Sequence, residues 1–331
     1  MQDSAARPTL GVHAIHPKNA ETFNSVASTS EEIRTGRQSL QTACTNCHKL
    51  KENVRRCAKC KEAWYCSKEC QKQHWPAHKV FCHPVEGSGI MKLVNNFSAN
   101  PFLMLYLEAA LIQKFDLLNN PRREPPHSAR IDVGIEPAEI PDFLAVFEGQ
   151  QTRTAEEMGG MMQINTIEPL KAIPSSQLSP ERALIWNRTQ ESGAGQICFG
   201  IIEFGNGESE QTIAAPMLIH PMAMEFVREA HPDTRTSALT GEVTIVPFSF
   251  DQCIEHMNMH IRADKKNQLL LRTALRASDI QAIRGAAENR STRSAQAIRT
   301  KMARESIYKP TRLTFVDARG DDGETSLSSL D

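Results

Sequence analysis

Seven of the nine cysteines of this chain are crowded between Cys44 and Cys82, and the later sequence holds only Cys198 and Cys253. The first residues contain no basic stretch followed by an apolar one, so we expect no secretory signal. Without export, crowded cysteines favour metal binding over disulfide bonds. A segment this short cannot bury a core of its own, so bound metal must supply its stability.

The spacing of this segment predicts two metal ions. Four ligand pairs follow one another along the chain: Cys44-x2-Cys47, Cys57-x2-Cys60, Cys66-x3-Cys70 and His78-x3-Cys82. Eight ligands are the number that two tetrahedral zinc ions require, and an x3 spacing places two ligands on one face of a helical turn. Because protein would fill every coordination position, both ions are expected to be structural rather than hydrolytic.

The same segment resembles a MYND-type zinc finger. The resemblance includes Tyr65 before the third pair, Gln71 after Cys70, and the string His74-Trp75-x2-His78-Lys79 that leads into Cys82. It implies an interleaved ligand set, with one zinc held by Cys44, Cys47, Cys66 and Cys70 and the other by Cys57, Cys60, His78 and Cys82. His74 could reach a metal, but the family pattern places the ligand at His78. His48 and His83 are expected to face solvent.

MYND fingers are protein interaction modules, and the resemblance implies a shallow groove for short proline-containing peptides. Gln71 and Trp75 match family positions that contact such ligands, since an indole can stack on a proline ring. The alternative is that Trp64, Tyr65 and Trp75 only cover the metal sites. Ala58 stands where some family members carry a polar residue, which weakens any transfer of peptide specificity.

Charge argues against nucleic acid as the partner. The chain has 38 basic and 39 acidic residues, and the finger with two bound zinc ions carries only about +3. A basic run from Arg284 to Arg312 could bind phosphate or an acidic partner, but a solvated helix face is the favoured interpretation. No apolar run approaches 18 residues, so we expect no membrane span and an intracellular protein of the nucleus or cytoplasm.

Beyond the finger, the pattern predicts an α+β fold, with a larger, mostly antiparallel sheet domain and C-terminal helices. Helices are expected at 100–118, 222–230 and 251–308, the last broken near Ala277 by a capping box of Ser278 and Gln281. Strands are expected at 129–135, 142–148, 162–170, 195–204, 212–219 and 241–250, with an edge strand at 311–317. Cys253, His256 and His260 could hold a third metal on one helix face, although packing into the core is the favoured interpretation.

The expected domains are a flexible N-terminal arm at 1–40, the finger at 41–84, an α+β domain of unknown function at 90–317 and an acidic disordered tail at 318–331. This arrangement is similar to fungal MYND proteins with an uncharacterised C-terminal domain. We therefore expect a zinc-dependent interaction or scaffold protein. The alternative is an enzyme of unrecognised type with the finger as its docking module. SET methyltransferases also carry MYND fingers, but this chain lacks their Asn-His dipeptide and has little sequence before Cys44.

Overall fold

The computed structural model describes the chain over residues 9–12, 18–39, 42–47, 50–51, 54–59, 63–79, 82, 90–121, 124–191, 199–207, 212–230, 232–237, 240–309 and 311–314. The acidic tail expected at 318–331 lies outside these residues. No helix in the described part of the chain combines the length and apolar character needed to cross a membrane.

The N-terminal part and the finger are built from short elements. In chain order these are β1 (Thr9–Val12), α1 (Lys18–Val26), α2 (Ser30–Ser39), β2 (Thr42–Ala43), β3 (Leu50–Lys51), β4 (Arg55–Arg56), β5 (Trp64–Tyr65) and α3 (Lys68–His78). β2 pairs with β3 and β4 pairs with β5, both antiparallel. Strands of two residues do not form a stable sheet by themselves, so other bonds must hold the finger.

The larger domain contains longer elements. They are α4 (Ile90–Ser98), α5 (Pro101–Lys114), β6 (His127–Pro137), α6 (Ile140–Phe147), α7 (Ala155–Met158), β7 (Gly160–Pro169), α8 (Pro180–Glu191), β8 (Phe199–Gly205), β9 (Thr212–Leu218), α9 (Pro221–Arg228), β10 (Asp233–Thr236), β11 (Val243–Val246), α10 (Phe250–Ala263), β12 (Arg272–Thr273), α11 (Ala277–Ala287), α12 (Arg293–Arg304) and β13 (Thr311–Thr314).

A five-stranded sheet in the order β12-β7-β6-β8-β9 forms the centre of this domain. Every pair is antiparallel except β6 with β8, which is parallel. The expected α+β fold, with a mostly antiparallel sheet and C-terminal helices, is therefore confirmed. The register of β6 against β7 shifts between Asp132 and Val133. Beside this irregularity the Asn258 side chain bonds both backbone groups of Ile164, each at 2.8 Å, and so takes the place of a strand partner.

Helix α5 begins where the sequence predicts. The Asn100 side chain accepts a hydrogen bond from the Leu103 backbone N–H at 3.0 Å, and Pro101 occupies the first turn. The helix is apolar on most of its surface and packs against α10 and α9. Its one buried carboxylate, Glu108, accepts hydrogen bonds from the backbone N–H and Nδ1 of His220, both at 2.8 Å, so its burial is compensated.

The prediction of a strand at 142–148 is wrong, because these residues belong to α6. Ile140, Phe143 and Val146 are buried at a spacing of three residues, which fits one helix face and not an alternating strand. Pro141 stands in the first turn, where proline favours a helix. Helix α8 was not anticipated at all.

Residues 18–39 do not form the flexible arm expected from their Ser and Thr content. They fold into α1 and α2, which bury Phe23 and Ile33. Thr29 and Glu32 bond each other's backbone N–H groups at 2.7 and 3.2 Å, a capping box that explains the hydroxyl residues. Arg37 then donates to Asn96 at 3.1 Å, which ties α2 to α4.

The capping box predicted for the second C-terminal helix is wrong. The Asp279 carboxylate, and not the predicted Ser278–Gln281 box, caps α11 by accepting from the Arg276 backbone N–H at 2.9 Å. The edge strand predicted at 311–317 is present as β13, which pairs with β1. The tail of the predicted strand, residues 315–317, lies outside the described residues.

The basic run over 284–312 is solvated in part. Arg290, Arg293 and Lys309 are exposed, whereas Lys301 belongs to a buried charge network. Lys301 and Glu136 are ion-paired in the core, and the second oxygen of Glu136 accepts from Arg262 at 3.0 Å and from the Tyr308 hydroxyl at 2.7 Å. Burial opposes the charge of Glu136, but the cations of Lys301 and Arg262 outweigh it and lower its pKa. The network joins α12 and α10 to the sheet.

Replacing Lys301 with Met should destabilise the protein by about 3–5 kcal/mol, because Glu136 would lose a partner while remaining buried. Replacing Lys265, whose pair with Glu139 is exposed, should cost only about 0–1 kcal/mol. Chemical denaturation of the two variants measures both effects. Equal losses would contradict a structural role for the buried pair.

The three residues considered as ligands of a third metal, Cys253, His256 and His260, do not come together at one site. His260 is stacked on Phe102, with ring centroids 4.1 Å apart, and Cys253 accepts from the Gln113 amide at 3.4 Å. His256 instead pairs with Asp233 at 3.1 Å. Among the described residues, these side chains form no group suited to a metal. The predicted packing of Cys253 and His260 into the core is confirmed.

The buried His260 should make stability fall in mild acid. Burial lowers its pKa from 6.5 to about 4, so the folded protein excludes a proton that the unfolded chain accepts. The free energy of unfolding is therefore highest above pH 6.5 and falls by about 3 kcal/mol as the pH falls towards 4. Denaturation curves of the protein and of His260→Phe between pH 7 and pH 4 test this. An unchanged pH slope in the variant would contradict it.

Candidate functional site

One group of cysteines lies at the junction of β2, β5 and α3. The sulfurs of Cys44, Cys47, Cys66 and Cys70 all lie within 4.8 Å of one another. The Cys47–Cys66 and Cys66–Cys70 sulfur distances are both 3.5 Å. A disulfide requires about 2.05 Å, whereas zinc–sulfur bonds of about 2.3 Å at tetrahedral angles place sulfurs roughly 3.8 Å apart. The spacing therefore fits ligands of one zinc ion.

Backbone hydrogen bonds position these four cysteines. The Thr45 backbone N–H donates to the Trp64 carbonyl at 2.7 Å, and the Trp64 N–H donates to the Thr45 hydroxyl at 2.9 Å. This pair fixes the Cys44–Cys47 turn against β5. The Ser67 hydroxyl caps α3 by accepting from the Cys70 N–H at 3.2 Å, so that Cys66 and Cys70 flank the helix start.

A second group consists of Cys57, His78 and Cys82, whose ligand atoms also lie within 4.8 Å of one another. The Cys57 and Cys82 sulfurs are 3.7 Å apart, close to a tetrahedral edge. The Cys57 N–H donates to the Ala63 carbonyl at 2.8 Å and closes the loop between β4 and β5. Cys60, the fourth ligand that the sequence predicts, lies outside the described residues.

Two thiols of the first group have pKa values that are shifted in opposite directions. Burial opposes ionisation of Cys44, but backbone N–H groups of Cys47, Cys66 and Asn46 donate to its sulfur and bring its pKa down to about 6. Hydrogen bonds with Cys70 and Cys47, together with burial, raise the pKa of Cys66 to about 12. Four sulfurs this close cannot all carry negative charge without a metal, because like charges repel.

His74 has a different role from that of His78. Its Nδ1 is 2.9 Å from the Tyr65 hydroxyl, and its ring stacks on that of His78 with centroids 5.6 Å apart. His74 belongs to neither ligand group among the described residues. It therefore buttresses the finger next to a ligand. His48 and His83 lie outside the described residues.

The three large aromatic side chains that the structure describes in the finger lie in two environments. Tyr65 is buried at 1% exposure, and the Arg56 guanidinium lies 4.3 Å above the Trp64 ring. Trp75, by contrast, is 43% exposed on α3. Tyr65 thus packs among cysteines of both groups, whereas Trp75 presents much of its indole to the surroundings. Gln71 lies one turn before Trp75 and is half-buried.

Comparison with known families divides the chain in two. The model of the MYND finger matches residues 44–82. A second model, described as a domain of unknown function (DUF8205), matches residues 86–308, about two thirds of the chain. The chain belongs to this family. The domain that defines this family thus spans α4 to α12 and ends at residue 308, and the finger precedes it.

Similar curated proteins are MYND proteins. Human "N-lysine methyltransferase SMYD2" is 35% identical over 82 residues, which are 25% of this chain and 17% of that protein. "SET domain and MYND-type zinc finger protein 6" of Schizosaccharomyces pombe is 35% identical over 80 residues, 23% of this chain and 17% of that protein. The chain thus spans about a sixth of the length of these relatives. No solved structure matches it.

The geometry and the family match agree on the metal chemistry. The protein carries a zinc-binding MYND finger, and its two ligand groups fit two structural zinc ions. The spacing predicted the four ligand pairs, and the resemblance to MYND fingers implied how the pairs group. Neither gave a sign of the Tyr65–His74 hydrogen bond, because it depends on how α3 lies against β5. The cap by Ser67 is a local contact, which a serine before a helix could have indicated.

Replacing Cys47 with Ser should remove one of the two zinc ions, because a weaker ligand would replace a thiolate in the first group. Cys253→Ala, which removes a core cysteine outside both groups, should retain two. Native mass spectrometry of the intact protein counts the ions. Two zinc ions in Cys47→Ser, or fewer than two in Cys253→Ala, would contradict the grouping.

Proposed function

We propose that this protein is a zinc-dependent interaction or scaffold protein whose finger binds short proline-containing peptides inside the cell. The observation that carries the proposal is the exposure of Trp75, at 43%, on a helix held by two metal-ligand groups. A flat indole fixed on a rigid helix can stack on a proline ring at little entropic cost. The match to the MYND finger supports the same kind of activity.

The proposed ligand set follows the interleaved order. Cys44, Cys47, Cys66 and Cys70 hold the first zinc, and Cys57, Cys60, His78 and Cys82 hold the second. Helix α3 contributes to both ions, since Cys70 lies in its first turn and His78 ends it. The helix that carries Trp75 is therefore anchored at both ends by metal. Zinc supplies no open coordination position here, so its role is to fix this surface.

Gln71 is proposed as the second peptide contact. It precedes Trp75 by four residues on α3, so the two side chains share one helix face. An amide can bond the backbone of an extended peptide while the indole holds its proline ring. Basic residues Lys68, Lys72 and Lys79 lie exposed on and just after the same helix and would favour a peptide without excess positive charge.

An enzymatic role for the large domain is the second candidate. A cleft of about 210 Å³ between the sheet and the helices α11 and α12 favours it, because ionisable Glu136 and Asp279 are among its lining residues. The sequence match to the methyltransferase named among the relatives covers about a quarter of this chain, while residues 86–308 match a different family. We therefore propose no methyl transfer.

Replacing Trp75 with Ala should weaken peptide binding at least about tenfold while leaving two zinc ions bound, because the indole is exposed and is not a ligand. Trp75→Phe should retain part of the affinity, and Gln73→Ala, which changes an exposed residue on the opposite face of α3, should retain nearly all of it. Fluorescence anisotropy with hits from an array of proline-containing peptides measures each affinity. Unchanged binding by Trp75→Ala at full zinc occupancy would reject the groove.

A further inference from the structure

The cleft beside α11 and α12 has the features of a binding site independent of the finger. Its apolar walls include Val133 and Ile135 of β6 and Ile298 of α12, and half-buried Ala282 of α11 lies between them. Half-buried or exposed polar residues stand around the opening: Asn206, Ser278, Asp279 and Ser294. The volume of about 210 Å³ suits a molecule of several heavy atoms and is smaller than the usual range for drug-sized ligands.

The floor of the cleft is open because Gly134 has no side chain. A Cβ at this position would lie 2.7 Å from Nδ2 of Asn165, closer than any real contact. Glycine in the middle of a strand usually marks a bulge or a close approach by another group. Here the missing Cβ of Gly134 leaves room for the Asn165 amide and keeps the cleft above that amide open.

Asn165 supplies an acceptor that lacks a donor. The residue is only 3% exposed, and its Nδ2 donates to the Asp132 carboxylate at 2.9 Å. That bond fixes the orientation of the amide, since a carboxylate accepts and does not donate. The opposite atom, Oδ1, has no hydrogen-bond partner among the described residues. A buried carbonyl without a partner is costly, so a bound N–H donor would be favoured there.

The charge of the lining favours a cation. Two carboxylates, Glu136 and Asp279, line the cleft, and within the described part of the chain no lining residue is Lys, Arg or His. Both oxygens of Glu136 are already bonded to Lys301, Arg262 and Tyr308. Asp279 accepts only its capping bond among the hydrogen bonds described, and burial raises its pKa, which a bound cation would lower again.

Positive charge in the surroundings offsets part of the charge of these carboxylates. Arg276, exposed at the start of α11, carries the N–H that Asp279 caps, and its positive charge opposes the effect of burial on the pKa of Asp279. Arg130 donates to the Gly207 carbonyl at 3.4 Å. The positive end of α11 is offset by Asp279 in its first turn, and Thr292 caps α12 by accepting from the Ala295 N–H at 3.4 Å.

We propose that this cleft binds a small alkylammonium ion. The ammonium donates to Oδ1 of Asn165 and to the carboxylate of Asp279, and a short alkyl chain packs against Ile298 and Ala282. An alcohol of the same length can donate to Oδ1 of Asn165 but carries no positive charge to pair with Asp279. A carboxylate can do neither. The proposal concerns the large domain and does not depend on peptide binding by the finger.

Ligand-observed NMR titrations of the full-length, zinc-loaded protein with n-butylammonium, n-butanol and butyrate test the proposal. We expect saturable binding of n-butylammonium, affinity for n-butanol lower by about tenfold, and no saturable binding of butyrate. No saturable binding of n-butylammonium, or binding of butyrate as tight as that of the amine, would overturn the proposal.

Variants locate the binding. Ala282→Leu fills the cleft and should weaken n-butylammonium binding by about tenfold or more, whereas Ala287→Leu, on the same helix but outside the cleft, should change it less than about twofold. Asp279→Asn keeps the helix cap and removes the charge, so it should erase the preference for the amine over the alcohol. Thermal unfolding verifies that each variant is folded. Equal losses in both leucine variants, or an unchanged preference in Asp279→Asn, would reject the site.

Discussion

Zinc–thiolate coordination is the interaction on which the finger depends. Among the finger residues that the structure describes, the four strands have two residues each, and the buried apolar residues beside the cysteines are Ala63 and Tyr65. Such a segment gains too little from burial to offset the entropy of folding. Structural zinc contributes on the order of 10–16 kcal/mol in small fingers, enough to order α3 and the turns around it. The position of Trp75 is thus a consequence of metal binding.

The large domain is stabilised by different means. Helices α6, α10, α11 and α12 pack against β6 and β7, and charged groups buried inside the domain are ion-paired, as the network of Glu136, Lys301 and Arg262 illustrates. Asn258 completes the backbone bonding at Ile164 where the strand register shifts. These polar contacts fix one register and one helix arrangement, and in doing so they form the cleft whose floor is Gly134.

Much of this structure could be predicted from local patterns. The cysteine spacing identified the ligand pairs, the resemblance to MYND fingers implied their grouping, and Asn100 with Pro101 located the start of α5. The strand prediction at 142–148 was wrong because a short apolar run fits a strand or a helix equally well. Burial at every third residue shows that the run belongs to the helix α6. The Ser and Thr of residues 18–39 suggested disorder, yet Thr29 caps α2, and Phe23 of α1 and Ile33 of α2 are buried. The cleft was not predictable, since Gly134, Asn165 and Asp279 meet only through tertiary packing.

The central claim is that seven thiolates and one imidazole hold two zinc ions and so build the recognition surface. X-ray absorption at the zinc edge of the purified protein tests it most directly. The account predicts an average shell of about 3.5 sulfurs at roughly 2.3 Å and about 0.5 nitrogen at roughly 2.0 Å per zinc, with no bound water. A shell dominated by oxygen and nitrogen, or a water ligand on either ion, would contradict it.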